Sequence, residues 1–366
     1  VREIVIVIAD LYLPPPTVET AVLPQNGAGL LPALEHASRF GTRSALQGGW
    51  RDWLARWLGR EDLVGVPPAV VAARAMKQLP SAAASSAWIA TPVNMIAGLT
   101  TVHVDHRSIL RPALPELEHF ATDFEKVFSD SGFSLQALPS GDFLMRGPSM
   151  PDIVTHEPAR WVLTGVAESL PSGAGAATLR RLGAEIEMWL HEHPLNATRV
   201  RRGEAPVTAL WVWGGGEAVA SVRPSSRAET GGPEASGHTR AGSPQAFGSD
   251  PFLAGLWQLD TETHPASAAQ LRDIFSYPPA RRAAALTGRV VVVTELVEML
   301  HSNPRWTVLD ALAEIDRRWV APALQALGQH EVDRVIILAN DRQVTVRAAD
   351  RWKLWRRAQP GLIGLQ

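Results

Sequence analysis

The chain has no cysteine. That excludes disulfides, thiolate metal sites and a cysteine nucleophile, and it fits a reducing compartment. No apolar run approaches the ~20 residues that a membrane span needs. The opening Val-Arg-Glu-Ile-Val-Ile-Val-Ile is short and β-branched, and reads as a buried first strand rather than a signal peptide. Excess charge of one sign is also missing. A formal net charge of −2 gives no electrostatic reason to expect nucleic acid or an anionic membrane as partner. A soluble, cytoplasmic protein is the expectation. Tyrosine is nearly absent, with two against thirteen tryptophans. Tryptophan supplies large apolar area with one donor to satisfy, so a tryptophan-rich core follows.

What is present is organised around residues 193–199, His-Pro-Leu-Asn-Ala-Thr-Arg, continued through Gly203, Pro206 and Gly214-Gly215-Gly216. Before it, Leu179, Leu182, Ile186 and Leu190 recur at helical spacing over 176–192, and Pro194 predicts the helix end. After it, the apolar run 206–213 predicts a strand buried on both faces. A glycine triplet at the end of such a strand lets the backbone approach a ligand, or turns the chain. Ligands of open α/β sheets bind at the carboxyl ends of strands, which makes His193, Asn196, Arg199, Gly214 and Gly216 site candidates.

The spacing of these residues resembles a signature of the archaeal-type, cofactor-independent phosphoglycerate mutases of the alkaline phosphatase superfamily. It is closest in kind to a bacterial mutase-like branch, sometimes labelled regulatory, whose metal site is degenerate. His193, Pro194, Asn196, Arg199, Gly203, Pro206, Gly214 and Gly216 fit the pattern. Thr208 stands where asparagine is expected, and Trp213 where arginine is expected. The resemblance implies an α/β fold: an alkaline-phosphatase-like, mostly parallel sheet flanked by helices, built from 1–80 and 176–366. A smaller α+β domain over 87–150 is inserted, and 151–175 links back. Alternation of strand-like and helix-like segments independently predicts α/β. Residues 217–248 carry almost no large apolar side chain and predict a disordered loop.

The resemblance also carries a chemistry: two divalent metals, manganese or zinc, and a serine nucleophile at a helix start. Asp10, after the first strand, matches a metal ligand, and reads equally as a turn residue or helix cap. At the last strand, Asn340 and Asp341 stand where Asp-His is expected. The nucleophile segment corresponds to Gly48–Gly59, with Trp50 in the apparent serine position and Ser44 several residues off register. Trp50, Trp53 and Trp57 share a helical face, the pattern of a core stripe. Asp105 and Arg107 match the start of the inserted domain, and Arg107 with Arg146 has the chemistry to clamp a carboxylate or phosphate. Glu295, Glu298 and His301 lie too far apart around a helix to ligate together.

Three readings follow. The first is a mutase-like protein without phosphoryl-transfer chemistry, acting as a binding or regulatory protein on a small phosphorylated or carboxylated anion. The second is an active, metal-dependent, 2,3-bisphosphoglycerate-independent phosphoglycerate mutase or phosphohydrolase. The third is unrelated chemistry using His193, Asn196, Arg199 and Arg107. Segments 252–259, 267–275, 307–327 and 352–357 are expected as strand, helix, helix and helix.

Overall fold

A computed structural model describes residues 2–9, 11, 31–46, 48–75, 85–98, 101–150, 152–162, 166–217, 245–247, 250–259, 289–339 and 342–352. The described residues form two main sheets. The first has six strands in the order Gln245–Phe247, Arg289–Val293, Glu3–Ile8, Arg334–Ala339, Arg342–Arg347, Thr42–Ala45. The first four run parallel, and the last two join antiparallel. The sheet is therefore mixed.

Its central strand, Glu-Ile-Val-Ile-Val-Ile, shows why the sequence folds this way. Successive side chains of a strand point to opposite faces. Ile4, Ile6 and Ile8 enter one core with helices Pro32–Phe40 and Leu296–Ser302 and the helical segments between Val308 and Gly328. Val5 and Val7 enter the other, with helices Gly49–Trp57 and Pro251–Leu259. Both faces are covered, as a continuous β-branched run requires.

The second sheet is antiparallel, in the order Ala209–Glu217, Ser85–Val93, Phe143–Pro148, Ser134–Ala137. Helices Leu114–Phe128 and Ala176–Glu192 cover one face through Phe120, Phe124, Leu182 and Ile186. Helix Pro68–Ala75 serves both units: Val71 packs in the first core, while Ala69, Ala72 and Ala73 pack under the second sheet. Its small side chains allow close approach. A Cβ on Gly255 would lie 2.8 Å from the Ala72 backbone, so only glycine fits where helix Pro251–Leu259 crosses.

Several expectations are corrected. Segment 176–217 packs and pairs with the second sheet, so the expected return to the first unit at 176 does not hold. Strand Ala209–Glu217 lies at a sheet edge, antiparallel to its neighbour, rather than among parallel strands. The helix over 176–192 does stop before Pro194, as expected; His193 then caps a second helix, of which Pro194 is the first residue. Residues 251–259 form a helix, because a short apolar run buried on several sides has the same composition whether helix or strand. Within 217–248, Gln245–Phe247 is a strand of the first sheet. The helix expected over 307–327 contains a π turn at Asp316–Val320. There, the buried Asp316 carboxylate accepts the N–H groups of Ala33 (3.1 Å) and Leu34 (2.6 Å). It caps a helix whose own N-cap, Leu31, has no side-chain acceptor. The expected helices 267–275 and 352–357 lie, respectively, wholly and almost wholly outside the described residues.

Candidate functional site

The register of the first sheet aligns one row across five strands: Val293, Ile8, Ala339, Arg342 and Ala45. For the parallel strands this row is the carboxyl edge, where α/β proteins place ligands. Strand Thr42–Ala45 also ends here, so helix Gly49–Trp57 begins beside the edge. Strand Gln245–Phe247 leads to Asp250, which opens helix Pro251–Leu259 by accepting the Phe252 N–H at 2.8 Å.

The residue that joins these helix starts is Arg51. Its guanidinium donates to Glu157 (3.2 and 2.9 Å) and to Asp250 (3.4 and 2.6 Å). It lies 4.6 Å from the centroid of the Trp50 ring and 5.1 Å from that of Trp213. Burial opposes the charge, but Asp250 and Glu157 outweigh it and hold the guanidinium protonated. Among the described residues, two carboxylates hold this one guanidinium. Trp50 itself is 1% exposed and meets Phe252 edge-on. Trp53 and Trp57 stack on each other, half-buried, and pack against the same core as Trp50, as the expected tryptophan stripe implies. Ser44 lies on the exposed edge strand Thr42–Ala45, not at a helix start.

The residues expected to form a binding site separate into three places, each with a structural role. Asn196 donates to the carbonyls of Leu190 (2.6 Å) and Val207 (2.7 Å) and accepts the Val207 N–H (2.8 Å). That ties helix Ala176–Glu192 to the start of the edge strand. Arg199 donates to the Ala205 carbonyl and to Glu116, both at 2.8 Å, with Glu204 at 3.5 Å. His193 lies at the same corner, its Nδ1 accepting the Leu195 N–H.

Arg107 and Asp105 form the second place. Asp105 caps the turn His106–Ser108. Arg107 donates to the carbonyls of Leu300, Asn303, Pro304 and Trp306, closing the carboxyl end of helix Leu296–Ser302. Next to it, His301 bonds the Ile109 carbonyl through Nε2 at 2.9 Å. These contacts lock the second unit onto the first. Arg146 lies on strand Phe143–Pro148, between Ala87 and Ser134.

The third place is the glycine triplet. Gly214 has φ +59°, and the strand register shifts between Trp213 and Gly216. A Cβ at Gly214 would meet Pro68 at 2.7 Å, and one at Gly215 would meet Trp88 at 1.9 Å. The triplet is a bulge that lets the edge strand press on the start of helix Pro68–Ala75 and on Trp88.

The metal candidates Asp10, Asn340 and Asp341 lie outside the described residues. Among the described residues, no group of three or more His, Asp or Glu is arranged to hold a metal ion. Glu295 instead pairs with Arg318 at 2.9 Å. Among the described residues, no helix is long and apolar enough to cross a membrane.

Sequence reading missed Arg51, Glu157 and Asp250. Their separations of 106 and 199 positions leave no local signal; only the placement of Arg51 at the start of a tryptophan-rich helix was visible.

No family model matches the chain, and no curated protein does. Among solved structures, the chain is similar to a cofactor-independent phosphoglycerate mutase from Thermoplasma acidophilum DSM 1728. The identity is 16% over 95% of this chain and 90% of that one, with a TM-score of 0.35. It is also similar to the PH0037 protein from Pyrococcus horikoshii, with 11% identity over 94% of this chain and 87% of that one and a TM-score of 0.41. Likeness at this level bears on neither activity nor ligand.

Proposed function

We propose that this chain is a phosphoglycerate-mutase-like protein of the alkaline-phosphatase-like class that has lost phosphoryl-transfer chemistry and acts by binding. One observation carries the reading: Arg51 lies against the buried Trp50 and Trp213 rings, with its guanidinium held by Glu157 and Asp250. Phosphoryl transfer needs an activated nucleophile and positive charge poised at the transferring group. Trp50 holds the position that matches the nucleophile, and an indole does not attack phosphorus. Trp213 holds the position that matches an arginine. Arg51 lies close to both rings, but four of its N–H donors go to Glu157 and Asp250 rather than to a ligand.

Manganese or zinc at the carboxyl edge would rely on Asp10, Asn340 and Asp341, one of them a neutral amide. That is a poor donor set for the paired cations of a two-metal mechanism. Arg107 and Arg199 are bonded to protein carbonyls and carboxylates, so neither is assigned to a small phosphorylated or carboxylated ligand.

The reading is tested by titrating manganese and zinc calorimetrically and assaying 3-phosphoglycerate isomerisation on the same sample. The expected outcome is no turnover at any metal occupancy. Turnover with two metal equivalents would favour the active mutase or phosphohydrolase instead.

A further inference from the structure

Away from the carboxyl edge, one buried titratable group has its protonation fixed by geometry. His193 Nδ1 accepts the Leu195 backbone N–H at 3.2 Å and so caps helix Pro194–Arg201. An accepting ring nitrogen carries the lone pair, so the single proton of the neutral ring sits on Nε2. Nε2 is buried, 3.4 Å from Asp123 Oδ2 and not aligned for a hydrogen bond. His119 Nε2 approaches the same oxygen at 3.2 Å, but the proton on His193 Nε2 rules that nitrogen out as a metal ligand. The ring is wedged against Phe120 (centroids 4.7 Å apart) and Trp189 (4.8 Å).

We infer that His193 is a proton-sensitive lock: neutral, it caps helix Pro194–Arg201 and holds the corner of the second unit; protonated, it releases it. A second proton can go only to Nδ1, where it points at the Leu195 N–H. The cap is lost, two donors face each other, and a cation sits at the positive end of a helix. The corner depends on this helix. Asn196 ties it to Leu190 and Val207, and Arg199 ties it to Glu116 on helix Leu114–Phe128.

The charges around the ring decide how far it resists. From helix Leu114–Phe128, Asp123 favours the imidazolium and His119 opposes it, while Lys126 holds the other oxygen of Asp123 at 2.7 Å. From helix Ala176–Glu192 the ring meets uncharged Trp189. On its own helix, Arg199 is already paired with Glu116. Burial is the largest influence, and the imidazole titrates below its ordinary range. The lock therefore holds at neutral pH and yields in acid.

The test is hydrogen exchange of amides 195–201 between pH 7.5 and pH 5, expressed as opening equilibrium constants so that the intrinsic pH dependence of exchange cancels. The wild-type chain is compared with His193→Asn, whose side-chain oxygen caps a helix without titrating. In the wild type, opening of this helix should rise about tenfold more than that of strand Ser85–Val93, the scale of a lost cap. In His193→Asn, helix and strand should change together. Nitrogen-15 spectra of the wild-type imidazole test the same point without a variant, by locating the proton. Equal pH profiles in the two chains, or a neutral ring protonated at Nδ1, would overturn the inference.

Discussion

The guanidinium carbon of Arg51 lies 5.1 Å from the centroid of the Trp213 ring, at the junction of the two sheets. Trp213 belongs to the edge strand of the second unit, and Arg51 to the first helix turn beside the carboxyl edge of the first. Both stand at or beside positions where the mutase pattern places chemistry. Here they make a packed contact, with the guanidinium held by Glu157 and Asp250.

That contact should be costly to break. Arg51→Ala removes the guanidinium from both carboxylates, of which Asp250 is only 7% exposed. Loss of one partner from a buried pair typically costs about 3–5 kcal/mol. Denaturant unfolding should show a drop of that order. Arg51→Lys should recover only part of it, because one ammonium cannot reproduce the paired donors that reach Glu157 and Asp250.

Asn196→Ala should destabilise the fold by about 2–3 kcal/mol, since it leaves the buried partners Leu190 O, Val207 O and Val207 N without their bonds. A loss under about 0.5 kcal/mol in the same unfolding experiment would contradict the stapling role.

How much of this was legible in the sequence differs by element. The β-branched run at 3–8 and the helical spacing at 176–192 gave a central strand and a helix at nearly their observed positions. The α/β class followed from them. Which sheet a segment joins was not legible: 206–213 reads as a buried strand wherever it pairs, and long-range pairing with Ser85–Val93 decides its place. The strand Arg342–Arg347 is faint in the sequence because only Val344 and Val346 are apolar, alternating inward between Gln343, Thr345 and Arg347. The motif residues stand out in the sequence, and their structural contacts do not. Spacing identifies His193, Asn196 and Arg199 as a unit, and only the partners reveal that the unit is a structural corner.

The glycine triplet offers a graded test. A Cβ at Gly215 would lie 1.9 Å from Trp88 Cδ1 and 2.5 Å from the Ala87 carbonyl, whereas one at Gly216 would lie 3.1 Å from Pro67 Cγ. Gly215→Ala should therefore lower the melting temperature more than Gly216→Ala. Gly214→Ala should also be harmful, because its φ of +59° disfavours a side chain. The reverse order would contradict the bulge packing.

His106 gives a pH dependence of known sign. Burial pushes its imidazole down to about 4, with Asp105 pulling the other way. The unfolded chain binds a proton near pH 6.5, the folded chain only near 4, so stability is present above pH 6.5 and is lost as pH falls toward 4. His106→Gln should flatten that part of the stability–pH curve measured by denaturant titration. An unchanged slope would show that the loss arises elsewhere.

The most direct test of the central claim is phosphorus-31 NMR of 3-phosphoglycerate incubated with the protein and manganese, with the paramagnetic metal removed on a chelating resin before the spectrum is recorded. The loss of phosphoryl-transfer chemistry predicts an unchanged substrate resonance after prolonged incubation. Growth of a 2-phosphoglycerate signal, or of inorganic phosphate, would contradict it and return Asp10, Asn340 and Asp341 to the centre of the mechanism.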